Sequence, residues 1–429
     1  MLDNLMVGSL GTAEISGVSV ANQLIFVFTM SLFGMISGAG IFGAQYVGQK
    51  DTVGLRNTFR FKLIAGFLFT FLFCWLFATC NEWLIGLYLK GDGDGSLATD
   101  TIYYAKQYLI TMLIGLYPAA FSMSIASTLR ENGETKVPMY ASFAAVAFNA
   151  VFDYLLIYGK LGLPRLGVFG GALATVLARF IELIILIIWV YKNRDNEVAA
   201  FAKGVFKNFS IPRHLVTGII IKGTPLMLNE TLWAAGITRL AQCYTMRSLT
   251  VVPAMSISST YFNLFSVVFV SMGSAISIII GQELGANDFE KAQSDSLKLI
   301  VLSLLMSFVT CAIFIGCSFF IPLLYETTTE VRRMATIFML IAASGMPGDS
   351  LCNATYFTIR SGGNTLISFI MDSGFVWCVC VLLATILIQF TPLGVYTIYF
   401  IIQLCNYVKG GFGLFLTRQG IWLNNIVED

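Results

Sequence analysis

The sequence predicts an all-α polytopic membrane protein built on a twelve-helix plan, two parallel six-helix lobes with the first helix truncated. Three observations carry that expectation. Of 429 residues, 57% are hydrophobic and 12% charged, with a mean hydropathy of +0.78, which is too apolar for a soluble globule to hide in its own interior. Apolar runs long enough to cross roughly 30 Å of hydrocarbon recur along the whole chain. Two polar signatures also occur twice in the same order. Gln45-x-x-Gly48-x-x-Asp51 returns 237 residues later as Gln282-x-x-Gly285-x-x-Asp288, and Arg130-x-x-Gly133-x-Thr135 returns 230 residues later as Arg360-x-x-Gly363-x-Thr365. A fixed offset of this kind marks a duplicated unit, and duplicated helix bundles are a transporter plan.

The spans are taken in chain order. In the first half they lie near 18–45, 61–80, 103–128, 137–158 and 168–191, and in the second near 223–245, 259–282, 297–324, 334–359, 365–390 and 394–417. The first half thus holds five and the second six. Symmetry calls for a sixth before residue 10, where only a stub stands; ten helical residues cover about 15 Å, half the apolar thickness. The expectation is an incomplete first span, from a late start site or truncation, or as a natural short form.

Six spans per half bring each half back to the face it started from, so the copies run parallel about an axis along the membrane normal. With the even-numbered loops and the C-terminus in the cytoplasm, and with Lys62, Lys106, Lys298 and Lys409 counted with their adjoining loops, 17 of the 26 basic residues fall there, against 7 opposite and 2, Arg179 and Arg239, assigned to spans. The positive-inside rule then places both termini in the cytoplasm of a multi-pass plasma (inner) membrane protein. The predicted organisation is an N-lobe at 1–192, a cytoplasmic linker at 193–222 with an amphipathic portion, a C-lobe at 223–418 and a tail at 419–429. The only histidine, His214, is a solvated linker residue in this reading.

Several function classes drop out. The basic residues do not cluster, so the net charge of +2 gives no nucleic-acid footprint. The nine cysteines lie in or beside apolar runs with no C-x-x-C pair, which argues against a disulfide framework or a zinc site. The first ten residues lack the order of a signal peptide. No Ser-His or His/Cys arrangement lies within a span, so enzyme chemistry is not expected and no organic cofactor is implied.

Charged groups inside spans are costly and retained mainly for function or pairing. In the first half these are Asp3 in the stub, Asn149 with Asp153, and Arg179 with Glu182, which pair by their three-residue spacing. Asn149 and Asp153 are four apart and share a helix face. That spacing suits an oxygen-lined cation or proton site, or equally a hydrogen bond between helices. In the second half, Glu230 follows Pro225, and Asp349, which shares a face with Asn353, follows Pro347-Gly348; bends are expected at both prolines. Asp372, near a span start, is expected to touch solvent. Among span aromatics, Phe28, Tyr117, Trp233 and Tyr261 are candidates to hold flat organic cations. Trp83, Trp189 and Trp422 lie near span ends and fit an interfacial belt.

The ordered segments Asp3-Asn-Leu-Met-Val-Gly-Ser-Leu-Gly, Gln45-Tyr-Val-Gly48, Leu129-Arg130-Glu-Asn-Gly133 and Gly167-Val-Phe-Gly-Gly171-Ala-Leu-Ala-Thr175, with the second-half copies, resemble the bacterial multidrug and toxic compound extrusion (MATE) transporters. The resemblance spans essentially the whole chain. It implies a V-shaped, two-lobed monomer that alternates between inward and outward openings and exports amphipathic organic cations in exchange for Na+ or H+. It also assigns residues: Asp3 matches the first-span acid, and Asn149, Asp153 and Thr175 match a first-lobe cation site, so that Na+ would be held at Asp3, Asn149, Asp153 and Thr175. Glu230 and Asp349 match the seventh- and tenth-span acids of NorM-like members. The departure from the family is the incomplete first span, which opens the reading of a non-transporting form. A lipid-linked saccharide flippase shares the doubled plan, but such carriers need a basic cavity for phosphates.

Overall fold

Stripped of water, backbone amides and carbonyls must be satisfied within their own segment, and long apolar runs therefore become helices. The computed structural model describes residues 6–7, 10–88, 95–207, 210–246, 251–325 and 327–428. Its long helices are α1 (Thr12–Gly48), α2 (Thr52–Tyr88), α3 (Gly95–Glu131), α4 (Lys136–Tyr158), α5 (Val168–Asn193), α6 (Arg213–Thr245), α7 (Val251–Gly285), α8 (Phe289–Ser318), α9 (Thr329–Ser361), α10 (Thr365–Phe390) and α11 (Val395–Arg418). Each corresponds to one of the eleven predicted spans. Among the described residues there is no strand. Nine of these helices are long and apolar enough to cross a membrane; the other two, α6 and α11, are those that carry Asn229 and Glu230, and Asn406 and Lys409.

The helices outrun the apolar runs at their ends. α2 begins at Thr52 and α6 at Arg213, each about ten residues before the hydropathy signal, because a hydrogen-bond ladder does not stop at the first charge. His214 therefore stands exposed in the first turn of α6 rather than in a loop, with Leu215 and Ile219 buried on the opposite side. α6 and α9 pass Pro225 and Pro347 as single helices. Of the long helices, α2 carries a non-helical residue at Cys80 (φ −111°, ψ 16°). α10 widens into π-helix over Ile370–Gly374 and Val376–Val381, a feature hydropathy does not register.

The chain divides into two compact units. The first runs to Ile219 apart from the segment Ala44–Lys50, the last turn of α1 and the two residues after it; the second takes that segment and everything from Ile220. In the first, α3 packs on α2 and α5, and α4 on α5, around Phe28, Phe77, Tyr108, Leu116 and Val176. In the second, α9 is the central helix, with α7, α8 and α11 around it, over a core that includes Phe269, Phe314, Phe338 and Ile398. α9 and α11 approach through small residues. A Cβ added to Gly413 would lie 2.3 Å from Thr355 Oγ1, and one on Gly410 2.9 Å from Leu351 Cγ, the small-residue contact usual between membrane helices.

The doubled signatures have a physical reason at each position. Gly133 and Gly363 both take φ in the left-handed region (+86° and +78°) at the ends of α3 and α9, where glycine is the least strained residue. Asp51 and Asp288 cap the next helix in each copy: Oδ1 accepts from Val53 N at 2.9 Å and from Lys291 N at 3.3 Å, respectively. Gly48 and Gly285 are sites of close approach. A Cβ on Gly48 would stand 1.9 Å from Gln282 O, and one on Gly285 2.0 Å from Gln45 O, so the two copies of the first signature pack on each other. Gln45 reaches further, donating to Ser361 O (3.1 Å) and accepting from Ile426 N (2.8 Å) in the tail. That tail also corrects the expectation for Trp422. Its ring is fully buried and its Nε1 donates to Thr417 O at 2.9 Å, so it anchors the chain end to α11 instead of joining a belt.

Candidate functional site

In the first unit, α4 and α5 bring part of the predicted cation set together. Asn149 Nδ2 donates to Thr175 Oγ1 at 3.2 Å, and Asp153, one turn along α4, is fully buried. Amide, hydroxyl and carboxylate oxygens are the donors a hard monovalent cation takes. Asp3 lies outside the described residues. Met6 does not: its carbonyl accepts from Tyr158 Oη at 3.0 Å, so the start of the chain is tied to the end of α4. Arg179 and Glu182 pair as expected (3.3 Å), and Ser142 Oγ donates to Glu182 Oε1 at 2.6 Å.

The charge count places Lys62 among solvated loop residues. It is instead buried on α2, its Nζ 2.6 Å from Glu131 Oε1 with side-chain exposures of 0% and 4%. Ser127 and Thr128 hydroxyls complete the ammonium's partners at 3.2 Å each. Proximity to a span end is the misleading signal; a lysine four carbons long turns inward when a carboxylate waits there.

The second unit holds a larger network on α6, α9, α10 and α11. Tyr356 Oη donates to Glu230 Oε1 at 3.1 Å, and Arg360 Nη1 stands 3.8 Å from the same carboxylate. Asn229, fully buried, donates to Tyr356 Oη (3.1 Å) and to Asp372 Oδ2 (2.8 Å). Its own Oδ1 accepts from the N–H and hydroxyl of Ser373, in the π turn, at 3.1 and 2.7 Å. Asp372 is therefore not a solvent-facing residue: Lys409 Nζ bonds its Oδ1, with side-chain exposures of 7% and 15%. Asp349 Oδ1 accepts from Asn406 Nδ2 at 2.6 Å, and Asn353 turns its amide to the Asp349 carbonyl at 2.9 Å.

The aromatic candidates fall in different surroundings. Phe28 is packed inside the first unit, with ring centroids 6.0 Å from Phe69 and 5.4 Å from Phe73. Tyr117 lies against Phe67 (5.6 Å), Tyr261 meets Tyr325 edge-on (6.5 Å), and Trp233 is half-buried beside the second core.

A family model for MatE matches residues 1–155 and 225–386, about three quarters of the chain. The chain belongs to the MatE family. Relatives at low identity extend the match over nearly the whole length. A probable multidrug resistance protein NorM of Halalkalibacterium halodurans is 24% identical over 398 residues, covering 92% of this chain and 84% of that protein. The protein of the same name from Bacillus subtilis strain 168 is 23% identical over 417 residues, 96% of this chain and 89% of its own. Among solved structures, an outward-facing multidrug resistance MATE family transporter of the MOP superfamily superposes with a TM-score of 0.87 at 19% identity, covering 97% of this chain and 90% of that one. That likeness establishes the fold. This MatE chain is thus a multi-pass α-helical membrane protein of a bacterial transporter family.

Sequence reasoning reaches Glu230, Asp349 and Asp153 of this MatE chain but passes over Asn229 and Lys409 and reads Arg360 only as part of a repeated signature. Asn229 directly precedes Glu230, and that adjacency was its signal. Lys409 is the one lysine of its helix, deep in an apolar run, and that depth was the available signal.

Proposed function

We propose that this chain is a secondary antiporter that exports amphipathic organic cations in exchange for Na+ or H+. The supporting observation is that each unit holds carboxylates between its helices: Asp153, fully buried, in the first, and in the second Asp349, partly buried, with Glu230 and Asp372, whose side chains are 13% and 15% exposed. Charges so placed are expensive, and exchange of an ion against a cationic substrate gives them a use. The relatives, named as probable multidrug resistance proteins, agree with this reading.

The mechanism is competition. An ion entering a carboxylate site favours one lobe arrangement, an organic cation favours the other, and their differential affinity drives alternating access. In the first unit, Asp153, Asn149 and Thr175 supply the oxygens that bind the ion. In the second, Glu230 and Asp349 bind and release it, with Tyr356 and Asn406 orienting them. The lobes are 1–192 and 223–418, joined by a cytoplasmic linker at 193–222, in a monomer of the inner membrane with both termini in the cytoplasm. A flippase for lipid-linked saccharides is the weaker reading, since Arg360 and Lys409 are each engaged by a carboxylate and offer no open basic cavity.

The test is export of a fluorescent organic cation by inverted vesicles carrying the full chain. Asp153→Asn is expected to abolish it and Glu230→Gln to abolish or weaken it. Unchanged export with Asp153→Asn sinks the first-unit site; unchanged export with both sinks carboxylate coupling.

A further inference from the structure

Three carboxylates and two cations share the network of the second unit. Glu230 faces Arg360, whose guanidinium also lies over Phe357 at 4.6 Å. Asp372 is bonded by Lys409. Asp349 has Asn406 as its amide partner, one turn before Lys409 on the same face of α11. Lys409 is also within electrostatic reach of Asp349. With all groups ionised the cluster carries one uncompensated negative charge, and Asp349, which has no basic side chain bonded to it among the described residues, is where that charge is least satisfied.

We infer that Lys409 is a tethered counter-cation, occupying beside Asp372 and Asp349 the place a free Na+ would need, and that it closes the second unit to Na+. The physical reasons are geometric. A monovalent metal ion needs several oxygens converging on one point with no other cation close by. Here the ammonium already takes one of those oxygens, and Asn229 Nδ2 turns a donor toward the other at 2.8 Å. The ammonium cannot readily leave. Lys409 is 6% exposed, and its neighbour Gly410 brings α11 against Leu351 of α9, holding the stem in the seam between the helices.

The consequence is selectivity. The single negative charge left over can be met by a proton or by an organic cation reaching Asp349, and not by Na+. The groups facing that exchange are Glu230 from α6, Cys352, Tyr356 and Arg360 from α9, Asp372 from α10, and Lys409 with Tyr399 and Tyr407 from α11. This rests on reading the second unit as a coupling site, but its test is binding and needs no transport.

The experiment measures saturable binding of radioactive 22Na+ to the purified full-length chain in detergent, with Asp153→Asn throughout to silence the first unit. The Asp153→Asn chain is expected to bind no Na+ saturably up to 100 mM, on the order of physiological salt. Adding Lys409→Met should create one site per chain, at least tenfold tighter than any residual binding, and adding Asp372→Asn to that should remove it. Lys409→Arg should keep the site closed. Saturable Na+ binding by the Asp153→Asn chain that disappears with Asp349→Asn overturns the proposal, and this arm decides even if Lys409→Met fails to fold. A folded, monodisperse Lys409→Met variant that gains no Na+ site also overturns it. Loss of drug export by the unaltered chain, with the binding pattern intact, would sink the export reading alone.

Discussion

Lys62 and Glu131 offer the sharpest test of the buried charge pairs, because the surroundings of both are closed. Their side chains are 0% and 4% exposed, Nζ lies 2.6 Å from the carboxylate, and the carboxylate fills space left by two glycines. A Cβ added at Gly43 would come within 2.1 Å of Glu131 Oε2, and one at Gly40 within 2.8 Å of Oε1. Glu131→Gln removes the charge but not the shape. It leaves the ammonium a neutral amide oxygen and two hydroxyl partners at 3.2 Å but no counter-charge, and breaking a buried pair from one side costs about 3–5 kcal/mol. Lys62→Met should cost a similar amount by stranding the carboxylate, which keeps the Ser127 hydroxyl at 2.5 Å. The double variant strands neither charge and should recover about 2 kcal/mol of the summed single losses, within the range of neighbouring groups that share one network. Equilibrium unfolding in mixed micelles of dodecyl maltoside and SDS, followed by helical circular dichroism, measures all four chains. Single losses below about 1 kcal/mol, the value of an exposed pair, would refute the argument that burial makes this interaction costly to break.

Three further predictions concern glycines, and in the first two opposite surroundings give opposite signs. Gly285→Val should cost about 1–3 kcal/mol by overpacking, since its Cβ would stand 2.0 Å from the Gln45 carbonyl, a backbone atom with little room to move; Gly316→Ala in α8 meets nothing within 4 Å and should stabilise by about 0.5–1 kcal/mol. The same unfolding assay compares them, and equal effects would contradict the packing. Gly133→Ala should cost about 1 kcal/mol because φ is +86° there. Gly133→Asn should cost less, and an Ala variant as stable as the parent would refute the strain.

How much of this was legible in the sequence depends on the distance over which each fact is decided. The spans were readable because hydropathy is a property of contiguous residues, and each predicted run became a helix. Their ends were misplaced wherever a helix continued past its apolar stretch, as at Thr52 and Arg213. The Arg179–Glu182 pair was readable from a three-residue spacing on one helix. Lys409 was not, since its partner Asp372 belongs to another helix 37 residues away, and Asn229 reaches Asp372 across 143 residues. Counting basic residues for orientation treated Lys62, Arg360 and Lys409 as solvated, yet all three are buried against acids. The rule reads position along the chain, whereas burial is set by what another helix presents. Trp422 failed for the same reason.

The repeats draw this distinction most clearly. Arg130 and Arg360 occupy the same place in the second signature, each three residues before a left-handed glycine. Arg130 is exposed, whereas Arg360 is 1% exposed and stands against Glu230. The residue after each arginine differs as well: Glu131, buried against Lys62, in the first copy, and Ser361, whose carbonyl receives Gln45, in the second. The glycines and caps persist in both copies because both need the same turn, and backbone geometry tolerates few substitutes. The arginine persists as a letter but not as an environment. In a duplicated membrane bundle the repeated positions therefore report the turns, and charge chemistry has to be sought where the copies give one residue different partners: Lys62 with Glu131 in one unit, and Arg360 with Glu230 and Lys409 with Asp372 in the other.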